Sequence, residues 1–397
     1  MKLISKHFIK FINIYIKIYF IIFIYIIFKL INKKILINQN KQNNNKSGKE
    51  IKIVLNSNNE KNLKKQKIKV GVIGLMHLKN VGNNLLKFSI YTQLKELNVE
   101  PYIIGTHMPS EDIRFLNRTT NLRIIKYFNE IKINDYDILM VNSDQTWRKW
   151  SSYLASSQFY DIAFLNFSKN WAVHKFIYGA SIGFDYWAFS KETDKIAKFL
   201  LKNFTGISFR EMSTVKFAKE HLGINSTFVL DPTMLIDKKY FIEIINSYKK
   251  KIKNDLYNLT EYFLTYKLGK NKNMHSFIKR VENQLNYKIF NIKLYDNDYI
   301  EKFLYGIYNC KGVSTNSYHA TIFAILFNKP FVVFLNSNRG NGRFQTIKEV
   351  FGIKNRFFNN SQKPNLSLLN TPLKINYTSI NYYRNISLEF LKKNLNI

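Results

Sequence analysis

Cysteine is nearly absent from this chain of 397 residues, where Cys310 is the single example. This excludes a disulfide framework and any zinc site built on cysteine ligands. Proline and glycine are scarce as well, with 6 and 15 residues, which excludes collagen-like and Pro/Gly-rich fibrous proteins. The seven histidines are dispersed, and no H-x-x-x-H pattern or carboxylate cluster is present. We therefore expect a globular protein without a metal site.

Acidic residues are few: 27 Asp and Glu stand against 61 Lys and Arg, a formal net charge of +34. Such a balance suggests nucleic acid, an anionic membrane or anionic substrates as partners. The basic residues are overwhelmingly lysine and scattered among many Asn and Ile residues, which indicates a compositional bias. Groups that bind phosphates or bases with two bonds favour arginine. We therefore expect no nucleic-acid partner, and we rank each arginine above each lysine as a functional candidate.

The first segment of the chain is strongly apolar, since residues 11–28 are almost wholly Ile, Phe and Tyr. A membrane span needs about 20 apolar residues, and no small-residue cleavage site follows the run. We interpret residues 1–37 as a hydrophobic helix that anchors the protein to a membrane, with a coding-biased amphiphilic extension as the alternative. Lysines flank both ends, so the positive-inside rule leaves the orientation open. Residues 38–66 are rich in Asn and Lys and are predicted to be a linker.

Strands and helices then alternate along the chain, and the series restarts after Asn254. Alternation of this kind predicts parallel sheets covered by helices. The predicted fold class is α/β, with two Rossmann-like domains that face each other across a cleft, at residues 67–245 and 246–370. Residues 371–397 are predicted to form a helix that packs back on the first domain. The strands are predicted at residues 68–74, 101–105, 137–141, 176–180, 206–209, 227–230, 262–266, 287–292, 312–315 and 330–335.

Polar motifs follow two strands of the first domain. Gly82 and Asn83 precede a helix, where backbone N–H groups and the helix dipole suit an anion or sugar hydroxyls. A plain helix cap is the alternative. Ser143 and Asp144 follow a hydrophobic strand, at the end where open α/β sheets bind ligands. Here too the alternative is a helix cap.

Two charged residues stand at later strand ends of the same domain. Arg210 lies one residue past a strand, where a guanidinium can grip a phosphate or carboxylate with two bonds. The alternatives are a local pair with Glu211 or a surface arginine. Asp231 is held extended by the following Pro232. Its carboxylate can accept a proton from a sugar hydroxyl or cap a turn.

The strongest motif is in the second domain, where a strand runs into Asn316, Ser317 and His319 at the start of an apolar helix. Helix N–H groups together with the serine and histidine side chains form a compact anion cradle. A structural histidine is the alternative. Farther on, Arg339 and Arg343 lie in a glycine-rich loop, which is consistent with a mobile anion clamp.

Together these motifs resemble those of the polysaccharide pyruvyl transferase family, from about Lys69 to Leu395. The shared motifs occur in the expected order, at Gly82–Leu85, Ser143–Trp147, Tyr178–Gly183, Ser208–Glu211, Leu230–Thr233 and Thr315–Phe331. The resemblance implies a GT-B-like pair of domains. It also implies transfer of the enolpyruvyl carbons of phosphoenolpyruvate to two hydroxyls of one sugar, as a cyclic ketal.

The chain departs from the family pattern at three positions. Asn142 stands where the family usually has glycine, and Gly179 where alanine is common. Ser317 takes a position that some members fill with arginine. We expect Arg339 or Arg343 to replace that anion contact.

The resulting hypothesis assigns a role to each candidate residue. The predicted catalytic residues are His319, Arg210 and Asp231; the donor-binding residues are Asn316, Ser317, Arg339 and Arg343; the acceptor-binding residues are Gly82, Asn83, Ser143 and Asp144. His319 is the predicted acid, and Asp231 or Asp144 orients or deprotonates the hydroxyl. We expect alanine at His319 or Arg210 to abolish turnover and leave folding intact.

The predicted partners are phosphoenolpyruvate as co-substrate, a saccharide or glycolipid acceptor of a cell-surface glycan, and a membrane at the N-terminal segment. No cofactor is expected. Two alternatives share the fold. One is a GT-B glycosyltransferase that uses a nucleotide sugar, and the other is a non-catalytic, membrane-associated glycan-binding protein.

Overall fold

A computed structural model describes residues 67–74, 79–142, 144–148, 156–252, 261–269, 271–294, 296–336, 340–359 and 361–397. They belong to one compact unit, Gln66–Ile397. The predicted anchor and linker lie outside the described residues, as do Ser143 and Arg339. Within the described ranges, no helix has the length and apolar character needed to cross a membrane.

Seven described strands form the first sheet, in the order β3-β2-β1-β4-β5-β6-β7, and every neighbouring pair is parallel. The strands are β1 (Lys69–Ile73), β2 (Glu100–Thr106), β3 (Leu122–Ile125), β4 (Ile138–Val141), β5 (His174–Ala180), β6 (Gly206–Phe209) and β7 (Thr227–Phe228). The central strand β4 is buried along its whole length. Its unbroken apolar sequence suits a parallel strand covered by helices on both faces.

The second sheet contains five described strands, in the order β12-β11-β10-β8-β9, again all parallel. The strands are β8 (Tyr262–Tyr266), β9 (Lys288–Asn291), β10 (Gly312–Thr315), β11 (Phe331–Phe334) and β12 (Phe357–Phe358). The predicted α/β class with parallel sheets is therefore confirmed. Strands β3 and β12, at the edges of the two sheets, were not predicted from the sequence.

Helices cover both sheets of the described chain. They are α1 (Val81–Glu96), α2 (Ser110–Thr119), α3 (Ser156–Phe164), α4 (Lys191–Leu201), α5 (Met212–Phe217), α6 (Lys239–Lys251), α7 (Lys272–Leu285), α8 (Tyr299–Asn309), α9 (Tyr318–Leu326), α10 (Gly342–Phe351) and α11 (Tyr377–Leu395). Asn80 caps α1, because its Oδ1 accepts a hydrogen bond of 2.8 Å from Gly82 N. The predicted domain boundary at residues 245 and 246 falls inside α6, which is continuous.

Buried apolar residues of both sheets belong to one core cluster. Helix α6 connects the two halves of that cluster: the ring of Phe241 lies 5.9 Å from Phe88 of α1 and 4.9 Å from Phe323 of α9. The C-terminal helix α11 lies against the first sheet, where Ser387 Oγ accepts a hydrogen bond of 2.9 Å from Leu230 N. The aromatic contacts and the shared core give the two sheets a common packing interface.

Each sheet has a point where the strand order reverses, between β1 and β4 in the first and between β8 and β10 in the second. At such a point the connections leave toward opposite faces and open a crevice at the carboxyl ends of the strands. The first crevice is bordered by the start of α1 and by Asp144 after β4. The second is bordered by Asn316 and His319 after β10. The topology therefore brings the predicted motifs to the edges where ligands bind in folds of this kind.

Candidate active site

Arg210 occupies the centre of the candidate site and is fully buried. It follows β6 directly. One terminal nitrogen, Nη1, donates to Asp231, and the other, Nη2, donates to Asp144. The guanidinium carbon also lies 5.0 Å from the centre of the Tyr318 ring, a cation–π distance. Arg210 thus joins a carboxylate after β4 to a carboxylate after β7.

Glu211 does not pair with Arg210, although it is the next residue. Its carboxylate accepts hydrogen bonds from the backbone nitrogens of Ile182 and Gly183, both at 3.2 Å, and from Thr214 Oγ1 at 2.6 Å. The predicted alternative of a local Arg210–Glu211 pair is therefore wrong. Glu211 fixes the loop after β5, which frees Arg210 to face the two aspartates.

His319 lies in the first turn of α9, between the two sheets. Its Nε2 is 3.7 Å from Asp231 Oδ2 and 3.5 Å from Arg210 Nη1. Its other nitrogen, Nδ1, faces Gly82 so closely that a Cβ atom on Gly82 would lie 1.9 Å from it. The start of α1 and the start of α9 therefore touch here. Only glycine leaves room for the imidazole at that contact.

Arg343 reaches the same cluster from α10. Its Nη1 donates a hydrogen bond of 3.2 Å to Asp144 Oδ1, and its guanidinium lies 5.2 Å from the Tyr318 ring. On the other side, Asn83 Oδ1 accepts a hydrogen bond of 3.2 Å from Asp144 N. Asp144 is therefore held by residues from both halves of the structure.

The cluster has two layers that differ in exposure. The side chains of Asp144, Arg343 and His319 retain 10%, 6% and 4% of their accessible surface. Those of Arg210 and Asp231 retain none. A ligand that enters between the start of α1 and the start of α9 can touch the first three residues. The two fully buried residues support them from below.

The charges of the cluster are nearly balanced. Burial raises the pKa of Asp144, but the Arg210 and Arg343 charges outweigh burial and hold that pKa well below its usual range. For Asp231 the charge of Arg210 has the same effect against burial. Both carboxylates are therefore ionised at neutral pH, and their two negative charges cancel those of the two guanidinium groups.

His319 is neutral in this state. Burial lowers the pKa of its imidazole, and the nearby Asp231 and Asp144 carboxylates offset only part of that effect. The cluster as a whole has no net charge when His319 is neutral. An anionic ligand would add negative charge beside the ring and so favour its protonated form.

Two of the predicted donor-binding residues have structural partners. Asn316 holds the loop after β8, because its Oδ1 accepts from Leu268 N at 2.7 Å and its Nδ2 donates to Leu268 O at 3.1 Å. Ser317 caps α9, where its Oγ accepts from Ala320 N at 3.4 Å. Both side chains therefore make local structural contacts. Of the remaining candidates, Ser143 and Arg339 lie outside the described residues.

Lys87 is a buried residue that sequence reasoning missed. It is fully buried on α1, one turn beyond Asn83, and its Nζ donates to the backbone oxygen of Asn142. Burial lowers its pKa to about 7. The signal in the sequence is the four-residue spacing of Asn83 and Lys87, which places both on one face of the helix. That face is directed at the chain segment that carries Asp144.

The burial of Arg210 changes one expectation about its alanine variant. Alanine at this position would leave Asp144 and Asp231 buried without their main partner. Breaking a buried pair in this way costs about 3–5 kcal/mol. We therefore expect Arg210→Ala to lose stability as well as turnover. Across the described ranges, no group of three or more His, Cys, Asp or Glu side chains is placed to hold a metal ion.

A sequence model of the family described as polysaccharide pyruvyl transferase matches residues 80–338 of this chain. The match spans more than half of the chain and includes Gly82, Asp144, Arg210, Asp231 and His319. It confirms the resemblance that the motifs suggested. No curated protein matches the chain in sequence.

The solved structures that match this chain share little sequence with it. One is the UDP-GlcNAc 2-epimerase from Neisseria meningitidis bound to UDP-GlcNAc, at 8% identity over 82% of this chain and 99% of that chain, with a TM-score of 0.49. Another is UGT89C1 from Arabidopsis thaliana complexed with UDP-L-rhamnose, at 8% identity, 83% and 98% coverage and a TM-score of 0.48. A third is Anabaena Alr3699/HepE in complex with UDP and glucose, at 9% identity, 83% and 95% coverage and a TM-score of 0.43. The GT-B-like arrangement of the two domains stays a prediction.

Proposed function

The chain belongs to the polysaccharide pyruvyl transferase family, and from that premise we propose that it transfers pyruvate from phosphoenolpyruvate to a sugar of a cell-surface glycan as a cyclic ketal. The observation that carries the proposal is the cluster of Asp144, Arg343 and His319 at the crevice between the two sheets. It combines an ionised carboxylate, a guanidinium and an imidazole within one nearly dry site. This reaction needs a base, an anion-binding group and an acid.

The proposed reaction forms two C–O bonds at the central carbon of the donor. A proton adds to the methylene carbon, which becomes a methyl group, and the central carbon becomes an oxocarbenium ion. One sugar hydroxyl attacks that carbon, the bond to the phosphate oxygen breaks, and a second hydroxyl of the same sugar closes the ketal. The two hydroxyl protons balance the proton gained by the methyl group and the one taken up by the departing phosphate.

His319 is proposed as the acid. Its imidazole is neutral while the site is empty of anions, because burial lowers its pKa. The negative charge of phosphoenolpyruvate favours the imidazolium, so the donor itself prepares the acid. The imidazolium then delivers its proton to the methylene carbon and becomes neutral, and the phosphate that departs later takes its proton from a sugar hydroxyl.

Arg343 and Asp144 are proposed to hold the two substrates. The Arg343 side chain retains 6% of its accessible surface, so its guanidinium can donate to an oxygen of the phosphate or carboxylate. Asp144 is ionised and is the most exposed group of the cluster, which suits a hydrogen bond that orients a sugar hydroxyl for attack. Arg210 and Asp231 keep these groups in place from the fully buried layer.

The test uses the full chain with phosphoenolpyruvate and, separately, a set of nucleotide sugars. Ligand at about 100 times its Kd adds roughly 2.7 kcal/mol to the free energy of unfolding. We expect phosphoenolpyruvate to raise the Tm of the native chain, and His319→Ala to remove that rise. His275→Ala is the matched control, because His275 is exposed on α7 and its loss leaves the rise unchanged. Stabilisation by a nucleotide sugar alone would overturn the proposal in favour of a glycosyltransferase.

We also propose that residues 1–37 anchor the protein to a membrane, on the grounds of their apolar sequence. The full chain should then sediment with membranes after an alkaline wash. Release of the full chain into the wash would contradict the anchor and would leave the proposed reaction unaffected.

A further inference from the structure

Helices α2 and α8 join the part of the structure around the first sheet to the part around the second. Two ion pairs lie at the rim of this contact. Arg114 Nη2 is 2.8 Å from Asp298 Oδ1, and Arg118 pairs with Glu301. The arginine side chains of both pairs are exposed by 40% or more, so salt and water screen these charges.

A third polar contact between α2 and α8 is buried. Tyr299, the first residue of α8, is fully buried. Its hydroxyl donates to Asp112 of α2 and accepts a hydrogen bond of 3.2 Å from Asn84 Nδ2 of α1. The same Asn84 Nδ2 donates to Asn80 O at 3.0 Å. One tyrosine hydroxyl from the second half therefore binds two helices of the first half.

The helix that Tyr299 holds through Asn84 is the one that borders the candidate active site. Asn84 lies in the first turn of α1, next to Asn83, which accepts from Asp144 N, and two residues after Gly82, which touches His319. A helix turn moves as a unit because its backbone hydrogen bonds link successive residues. A shift of Asn84 therefore moves the contacts to Asp144 and His319 with it.

An apolar contact in place of the buried Tyr299–Asp112 hydrogen bond would be less unfavourable to the free energy of folding. Asp112 is buried, and burial raises the pKa of its carboxyl to about 6. Buried polar groups lower stability unless each one has a partner, but a fully partnered group fixes geometry more sharply than apolar contact does. The Tyr299 hydroxyl gives Asp112 that partner and gives Asn84 a fixed position.

We propose that Tyr299 is a positioning residue for the proposed pyruvyl transfer: through Asn84 it sets the first turn of α1, and with it the placement of Asp144 and His319 across the crevice. The inference rests on the proposed function for its catalytic readout. Its structural content, that the hydroxyl orders the start of α1, can be measured without any substrate.

The central variant is Tyr299→Phe, which keeps the buried ring and removes only the hydroxyl. We expect kcat to fall by about 10- to 100-fold, because a displacement near 1 Å at reacting groups has that effect. The matched control is Asp298→Asn, which removes the negative charge of the neighbouring Arg114–Asp298 ion pair without reaching α1. It should leave kcat unchanged.

Hydrogen–deuterium exchange supplies the readout that needs no substrate. Exchange at residues 81–88 should rise in Tyr299→Phe and in Asn84→Ala, while Asp298→Asn exchanges like the native chain. If exchange rises there in a chain that never transfers pyruvate, the inference stands and the proposed function fails. Unchanged exchange at residues 81–88 in both variants would overturn the inference, whatever the activity.

A double variant separates positioning from loss of stability. Tyr299→Phe leaves Asp112 without its tyrosine donor, and adding Asp112→Asn removes the buried negative charge. We expect Asp112→Asn to restore the Tm of Tyr299→Phe while kcat remains low, because Asn84 still lacks the tyrosine hydroxyl. Recovery of kcat together with the Tm would show a purely structural role and would overturn the inference.

Discussion

Gly82→Ala tests the contact between the two halves of the candidate active site. A Cβ atom on residue 82 would lie 1.9 Å from Nδ1 of His319, 2.4 Å from its Cε1 and 2.5 Å from its Cγ. Ordinary contacts between such atoms are near 3.5 Å. The imidazole or the start of α1 must therefore move by about 1.5 Å. Neither can do so freely, because both are buried.

A displacement of this size has a predictable effect on rate. About 1 Å of misplacement at a reacting group costs on the order of 100-fold, which corresponds to about 2.7 kcal/mol in the barrier. Overpacking costs a further 1–3 kcal/mol or so in the free energy of unfolding. Alanine in a helix recovers up to about 1 kcal/mol of that through its higher propensity. We expect kcat to fall by at least about 100-fold with a moderate loss of stability.

The assay compares three variants by kcat and by chemical unfolding. Gly223→Ala is the control, because Gly223 has a positive φ and no atom within 4 Å of an added Cβ, so only local strain results. It should keep the native kcat. The double variant with Gly82→Ala and His319→Ala should be more stable than Gly82→Ala alone, because the ring that clashes with the added Cβ is gone. Native kcat in Gly82→Ala would refute the proposed placement of His319.

Three further predictions follow from buried charges. Arg210→Ala should lose about 3–5 kcal/mol of unfolding free energy in a denaturant titration, and a loss below 1 kcal/mol would contradict the buried bridge. Asp112 binds its proton more tightly in the folded chain, at a pKa of about 6 against 3.8. The stability of the native chain relative to Asp112→Asn should therefore fall by about 3 kcal/mol as pH rises from 3 to 7, and a flat difference would be inconsistent with burial. Lys87 binds its proton less tightly in the folded chain, where its pKa is about 7 against 10.5. The stability of the native chain relative to Lys87→Met should therefore rise by up to about 5 kcal/mol between pH 7 and 10.5. A fall over that interval would disagree with a buried amine.

The alternation of strands and helices was enough to predict the α/β class and the central strands. Strand β4, Ile-Leu-Met-Val, is apolar at every position because both of its faces are covered. The edge strand β3 lacks that signal. It contains Arg123 and an exposed Ile124, as expected where one side of a strand faces solvent. Strand β12 has only two residues, too few for any periodicity.

The residues of the candidate site could be predicted from the sequence, but the contacts between their charged groups could not. Each motif follows a strand, so parallel topology placed Asp144, Arg210, Asp231 and His319 at neighbouring sheet edges. Which carboxylate meets which guanidinium depends on side-chain packing between segments far apart in sequence. No pattern in the sequence therefore favours a buried Arg210 bridge over an exposed anion-binding arginine.

The roles of amides and of Tyr299 depend on three-dimensional contacts in the same way. Asn316 looked like a ligand-binding amide because it stands beside His319. In the structure it bonds both backbone groups of Leu268, a residue 48 positions away. Tyr299 carried no motif at all, since its partners Asn84 and Asp112 come from helices of the other half.

The most direct test of the central claim is a product measurement with the full chain, phosphoenolpyruvate and a glycan acceptor. Phosphate release and the methyl signal of a pyruvate ketal in the proton NMR spectrum would be followed together. We predict that both increase in equal amounts with the native chain and His275→Ala, and that neither increases with His319→Ala. Ketal formation that persists in His319→Ala would contradict the assigned acid. Absence of both signals in the native chain, with a nucleotide sugar consumed instead, would contradict the proposed reaction.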